Sequence, residues 1–128
     1  MLENAPRKPV HEIKARAFEF ACRIVRLHQF LVKQGGTTRS LAGQILRAGT
    51  SVGANLEEAH AAQSKSDFVA RTSIVLKEVR ESHYWLRLLI ACELAPAGRL
   101  TPLVGEANEL VSIMTAIVKK ARSSSRKK

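Results

Sequence analysis

Apolar residues recur at alternating steps of three and four along almost the whole chain, and that period admits helices and little else. Val10, Ile13, Ala17, Phe20, Ile24, Leu27 and Leu31 make a first seam, with Phe18, Val25 and Val32 in a flanking row at steps of seven. Gly35 and Gly36 stop that helix, because glycine takes the left-handed backbone of a C-terminal cap at little cost. Thr37 or Thr38 is the expected cap of a second helix, whose seam is Leu41, Ile45, Ala48, Val52, Leu56 and Ala59. The middle of this helix, from Ala48 to Ala54, is nearly all small residues. Its two glycines, Gly49 and Gly53, either let a neighbouring helix approach closely or mark a kink.

Ser64-Lys65-Ser66-Asp67 reads as a helix start, with Ser64 as cap and Asp67 reaching back. The third helix carries Phe68, Thr72, Val75, Val79, Ser82, Leu86 and Leu89 on one row and Val69, Leu76, His83 and Ile90 on a parallel one. Pro96 and Gly98 end it. Thr101-Pro102 is the expected opening of a fourth helix, with Leu103, Ala107, Leu110, Met114, Ile117 and Ala121 on its apolar face and Val104, Val111 and Val118 alongside. Four helices with three short connections predict an all-α, antiparallel up-down-up-down four-helix bundle. The expected organisation is a flexible leader over 1–9, a bundle over 10–121 and a basic flexible tail over 122–128.

The chain of 128 residues fits one domain with one core. No run approaches the ~20 apolar residues of a membrane span, so no membrane partner is expected. The start, MLENAPRKPV, lacks the apolar segment of a secretory signal. Cys22 and Cys92 sit within helical apolar patterns without metal-type spacing and read as reduced, buried and structural. Together these features predict a cytoplasmic protein.

Charge is the remaining large signal: 21 Lys and Arg against 11 Asp and Glu give a formal +10. Six of those bases, Lys119, Lys120, Arg122, Arg126, Lys127 and Lys128, fall in the last ten residues, where there is no acid. The residues before them hold 15 bases against 11 acids, a balance of only +4. Such basic segments attract polyanions through counterion release, or else simply solvate an end. The third helix adds Lys77, Arg80, Tyr84 and Arg87 at steps of three, four and three, hence on one face. Three cations around an aromatic can track a phosphate backbone while the ring stacks on a base. The bland alternative is a solvated face with an i,i+4 pair between Lys77 and Glu81. Arg16, Arg23, Arg26 and Lys33 form a second basic stripe on the first helix, interrupted by Glu12 and Glu19.

Catalytic chemistry finds little support. Glu57-x-x-His60 resembles half of a di-metal site, but such bundles need two Glu-x-x-His pairs plus two further carboxylates. No metal, cofactor or catalytic residue is assigned, and a non-enzymatic protein is expected. Ser51, Asn55, Glu58, Glu78 and Glu81 are expected to form a structural polar network between the second and third helices, since buried polar groups must be satisfied. His83 reads as a core or interface histidine, and Trp85 as an anchor in packing or subunit contact.

One stretch carries a longer pattern. Ser51-Val52-Gly53-Ala54-Asn55-Leu56-Glu57-Glu58-Ala59 is followed by Ser64-Lys65-Ser66-Asp67-Phe68, by Leu76-Lys77-Glu78 and Arg80-Glu81, and by Tyr84-Trp85-Leu86-Arg87-Leu88-Leu89. This resembles the four-helix bundle family named after the protein encoded in intervening sequences of bacterial 23S ribosomal RNA genes. Many members read Asn-Ile-Ala-Glu-Gly where this chain has Asn55 to Ala59, so it departs from the common pattern there. The resemblance implies a bundle that assembles as a homopentameric barrel. A relative, the accessory variability protein of diversity-generating retroelements, is such a pentamer and binds nucleic acid and a reverse transcriptase through a basic surface. By analogy, the expected partners are further copies of the chain and RNA or a nucleic-acid-processing protein. The competing expectation is a protein-interaction scaffold with no nucleic-acid role. The paired apolar rows on the first and third helices are compatible with subunit contacts.

Overall fold

The computed structural model describes residues 9–126, with side chains described from 12 to 124. Four helices follow in order: α1 (Pro9–Val32), α2 (Gly36–His60), α3 (Lys65–Ala91) and α4 (Ala97–Arg126). Each runs antiparallel to the next, in an up-down bundle about 36–45 Å long at 1.5 Å per residue. Each helix packs along its neighbours in chain order, whereas α1 and α4 touch at far fewer points. That looser seam is pinned by Arg16, which donates from Nε and Nη2 to both Glu106 oxygens at 3.0 and 2.6 Å and from Nη2 to Glu109 at 2.9 Å. Hydrogen bonds to Glu106 first, then to Glu109, raise the Arg16 pKa further above its already high ordinary value.

The core is the set of seams. Ile13, Ala17, Phe20, Ile24, Leu27 and Leu31 are all buried, as are Ile45, Ala48, Val52, Leu56 and Ala59. On α3, the buried hydroxyls of Thr72 and Ser82 donate back to the carbonyls of Phe68 and Glu78 at 2.8 Å, so the polar members of that row enter the core satisfied.

The question left open at the small-residue stretch resolves as a close approach. A Cβ on Gly49 would stand 2.7 and 2.8 Å from the Ile24 Cγ1 and Cγ2 atoms, and one on Gly53 would meet the Ala17 carbonyl oxygen at 3.6 Å. Helix α2 therefore lays a nearly bare stripe on α1, and its helical assignment is unbroken through both glycines.

Four helix limits differ from the expectation. Helix α2 begins at Gly36 after an N-cap at Gly35 with no side-chain cap bond, so neither Thr37 nor Thr38 caps it. Gly35 and Gly36 both take positive φ, 68° and 54°, and make the reversal themselves, while the Arg39 guanidinium donates twice to the Val32 carbonyl at 3.2 Å. Helix α4 begins one turn earlier than Thr101, because the Arg99 and Leu100 amides already donate to the Pro96 carbonyl at 3.0 and 3.3 Å. Pro102 thus lies inside α4, where its missing N–H costs one backbone bond, and Thr101 bonds back to Ala97 at 2.7 Å instead of capping. The early start brings Leu100 fully into the core. At its other end α4 continues through Arg126, five residues past the expected boundary at 121, and α1 already includes Pro9. Residues 1–8 and 127–128 lie outside the described residues. The start of α3 follows the sequence: the Asp67 amide donates to Ser64 Oγ at 3.0 Å, and Asp67 Oδ2 accepts from the Gln63 amide at 3.4 Å.

Candidate nucleic-acid interface

Lys77, Arg80, Tyr84 and Arg87 all stand exposed on one face of α3, as their spacing requires. What the spacing alone does not reveal is what lies opposite. The Arg122 guanidinium on α4 donates to Ser73 Oγ on α3 at 3.2 Å, which marks the register of this antiparallel pair. In that register Lys119 and Arg122 face Lys77 and Arg80 across a groove of about 580 Å³, floored by Leu76 and Val118. The groove has two cations on each wall and no carboxylate in its lining.

The bland reading of the α3 stripe is a solvated face with salt bridges, such as one between Lys77 and Glu81. Glu81 instead faces α2. Its Oε1 takes a bond from Arg47 Nη2 and another from Trp85 Nε1 at 3.3 Å, while Arg47 Nη1 donates to the buried Glu78 at 3.1 Å. Among the described residues, Lys77, Arg80 and Lys119 enter no ion pair. The acids that share their stretch of α3 are occupied elsewhere, so the groove keeps its charge.

The other expected residues are scattered by the fold. Lys120 turns away from the groove and lines a second cavity of about 500 Å³, with Ile13, Leu56 and Phe68 among its walls. Arg126 is the last residue of α4, its side chain outside the described set, and Lys127 and Lys128 lie beyond the described residues. On α1, Arg16 is committed to Glu106 and Glu109, which breaks the second basic stripe. The polar network divides. Glu78 and Glu81 join through Arg47, whereas Asn55 bonds only within α2, donating to the Ser51 carbonyl at 2.9 Å, and Glu58 is exposed. Arg47 was missing from the sequence reading. An arginine one seam away from two carboxylates three apart is its signal, but only the α2–α3 register makes it usable.

His83 is half-buried, and burial first, then the nearby Arg87 charge, lowers its pKa below the ordinary 6.5. Cys22 is half-buried and Cys92 exposed, both as free thiols, so the expected burial of Cys92 is corrected: it lies just past the end of α3 as its C-cap. Among the described residues no three His, Cys, Asp or Glu side chains come together as metal ligands, and no helix is long and apolar enough to cross a membrane.

The geometry defines a class: an antiparallel four-helix bundle with one basic seam. Residues 11–116 match the 23S rRNA-intervening sequence protein family, and the chain belongs to that family. A crystal structure of a protein of unknown function from the S23 ribosomal protein family of Bacteroides thetaiotaomicron is similar, with a TM-score of 0.80 and 38% identity over 88% of this chain and 99% of that one. No curated protein matches the chain.

Proposed function

We propose that this chain is a non-enzymatic, oligomeric helical-bundle protein that binds nucleic acid, RNA in the first instance, through phosphate contacts in the α3–α4 groove. The observation that carries this reading is the groove itself, where Lys77, Arg80, Lys119 and Arg122 converge without a carboxylate. Four like charges along one seam repel each other when the groove is empty, and a phosphate backbone relieves that repulsion by releasing its own counterions. The expected binding is sequence-tolerant and falls steeply with salt. Fluorescence anisotropy with a short RNA at several salt concentrations tests it: binding that is absent at low salt, or independent of salt, overturns it.

Self-assembly is the second part of the proposal. Phe18 is 70% exposed and Val25 40% exposed on α1, and Phe18 borders an α1–α2 depression of about 280 Å³ lined by Ala21, Thr50, Gly53 and Ala54 and rimmed by the Lys14–Glu57 ion pair. A large ring next to a small-residue hollow on the same surface suits contact between copies, and the resemblance makes the expected assembly a pentamer. Each added copy repeats the groove, so weak contacts multiply into avidity when one strand engages several. Light scattering that gives a monomer mass at micromolar concentration contradicts this part. The same apolar surface favours the alternative of a protein-interaction scaffold, which a stoichiometric protein partner surviving nuclease treatment would support.

A further inference from the structure

The groove continues into a longer track. Ser73, Lys77, Arg80, Tyr84 and Arg87 fall on one line of α3, about 21 Å from end to end at 1.5 Å per residue. In that line Tyr84 is the one aromatic, and it is 51% exposed. Its ring is nevertheless held in place. Trp85 meets it edge-on, with centroids 5.2 Å apart and planes at 72°. Trp85 is itself tied through Nε1 to Glu81, which Arg47 clamps from α2. The Arg87 guanidinium lies over the ring, 5.8 Å from its centroid. The chain thus spends a buttress of four residues on orienting an aromatic that leaves half of itself exposed.

We infer that this track takes single-stranded rather than double-stranded RNA: an unpaired base stacks on Tyr84 while the adjoining phosphates run between Lys77 and Arg80 on one wall and Lys119 and Arg122 on the other. The inference rests on the reading of the groove as a nucleic-acid site. Its physical basis is that a duplex offers phosphates but no free base face, since each base is already stacked between neighbours. A single strand offers both, and any base has a face to give, so the site discriminates strandedness without reading sequence. A preset ring also loses little side-chain freedom on binding, which favours the stack.

The experiment compares a single-stranded RNA with a duplex of the same length by anisotropy, on the intact protein at low salt. Tyr84→Ala is expected to weaken single-strand binding about tenfold while leaving duplex binding and the salt slope unchanged. Tyr84→Phe keeps the ring and restores affinity, which separates stacking from a general disturbance of α3. A second readout is the emission of Trp85, the one tryptophan of the chain, which should change when single-stranded RNA occupies Tyr84 and stay constant with duplex. Arg80→Ala with Lys119→Ala should weaken both ligands and lower the salt slope. If the intact protein binds duplex as tightly as single strand and Tyr84→Ala changes neither, the strand preference is overturned while phosphate binding stands. If neither RNA binds at low salt, the groove is not a nucleic-acid site and both readings fall.

Discussion

The α1–α2 and α3–α4 seams are the same kind of object, two antiparallel helices joined by a short connection, yet their chemistry is opposite. Along α1–α2, Gly49 and Gly53 remove side chains so that the helices meet almost backbone to side chain, with Ile24 filling the space a Cβ would take. The outer edge of that seam bears the exposed Phe18 beside a Lys14–Glu57 ion pair, so what charge it carries is neutralised. Along α3–α4 the inner rows are just as buried, but long cations flank them and leave an open groove. One seam places its small residues where they bring helices together, and the other places its long residues where they keep a channel wet and charged. The difference teaches that the bundle core tolerates both, because the buried rows of each helix supply stability whichever residues line the rim.

That contrast can be broken by changing one seam at a time. The largest effect is expected at Gly49. Gly49→Val puts branched atoms into the Ile24 side chain and should cost about 3 kcal/mol by overpacking, read as a lowered denaturant midpoint, with no change in the salt slope of RNA binding. Next, replacing Lys77, Arg80, Lys119 and Arg122 together by Ala should do the reverse. The salt slope should drop by about 3, while thermal stability stays level or rises slightly as repulsion within the groove is relieved. A loss of folding comparable to that at Gly49 would show that the groove is a structural element after all. A smaller effect is expected at Gly43, an exposed glycine of the same helix α2 with open space around its Cα: Gly43→Ala should stabilise by about 1 kcal/mol through helix propensity alone. The opposite signs at Gly43 and Gly49 would confirm that close approach, not glycine as such, defines the α1–α2 seam.

The smallest effect concerns His83, which continues the α3 row of Leu76 beyond the groove floor. Its folded pKa lies below 6.5 through burial and the Arg87 charge. On acidification the unfolded chain therefore takes up this proton first, so stability is unaffected above pH 6.5 and declines as the pH falls from there toward the lower folded value. Thermal melts of His83→Gln against the parent between pH 7.5 and 5 should show a flatter decline in the variant. An unchanged slope would mean His83 is as accessible to protons folded as unfolded.

Much of the bundle was legible in the apolar period. The α1 seam from Ile13 to Leu31 and the α3 cap at Ser64 and Asp67 are present as read. The misplacements have local causes. Thr101-Pro102 has the composition of a helix start, but the first turn already closes on the Pro96 carbonyl five residues before Thr101, which also carries Leu100 into the core. Val118 replaces Ile117 as the buried residue near the end of α4, because strict three–four alternation drifts by about 20° per heptad from a true helix and one extra step of four corrects it. Half of the candidate site is legible as well. Lys77, Arg80, Tyr84 and Arg87 share a face by spacing alone, whereas Arg122 falls in the segment expected to be a loose tail. Nothing in the spacing of Lys119 and Arg122 indicates that α4 turns these two cations toward α3.

The sequence by itself determined the number of helices, their order, their buried faces and the net charge of +10, since these follow from local spacing and composition. Only the tertiary structure decided which cations share a groove, which acids neutralise which bases, and that Gly49 marks a close approach. Those facts depend on the register between helices. Register is set by how side chains interlock across a seam, and a one-dimensional period carries no record of what stands opposite.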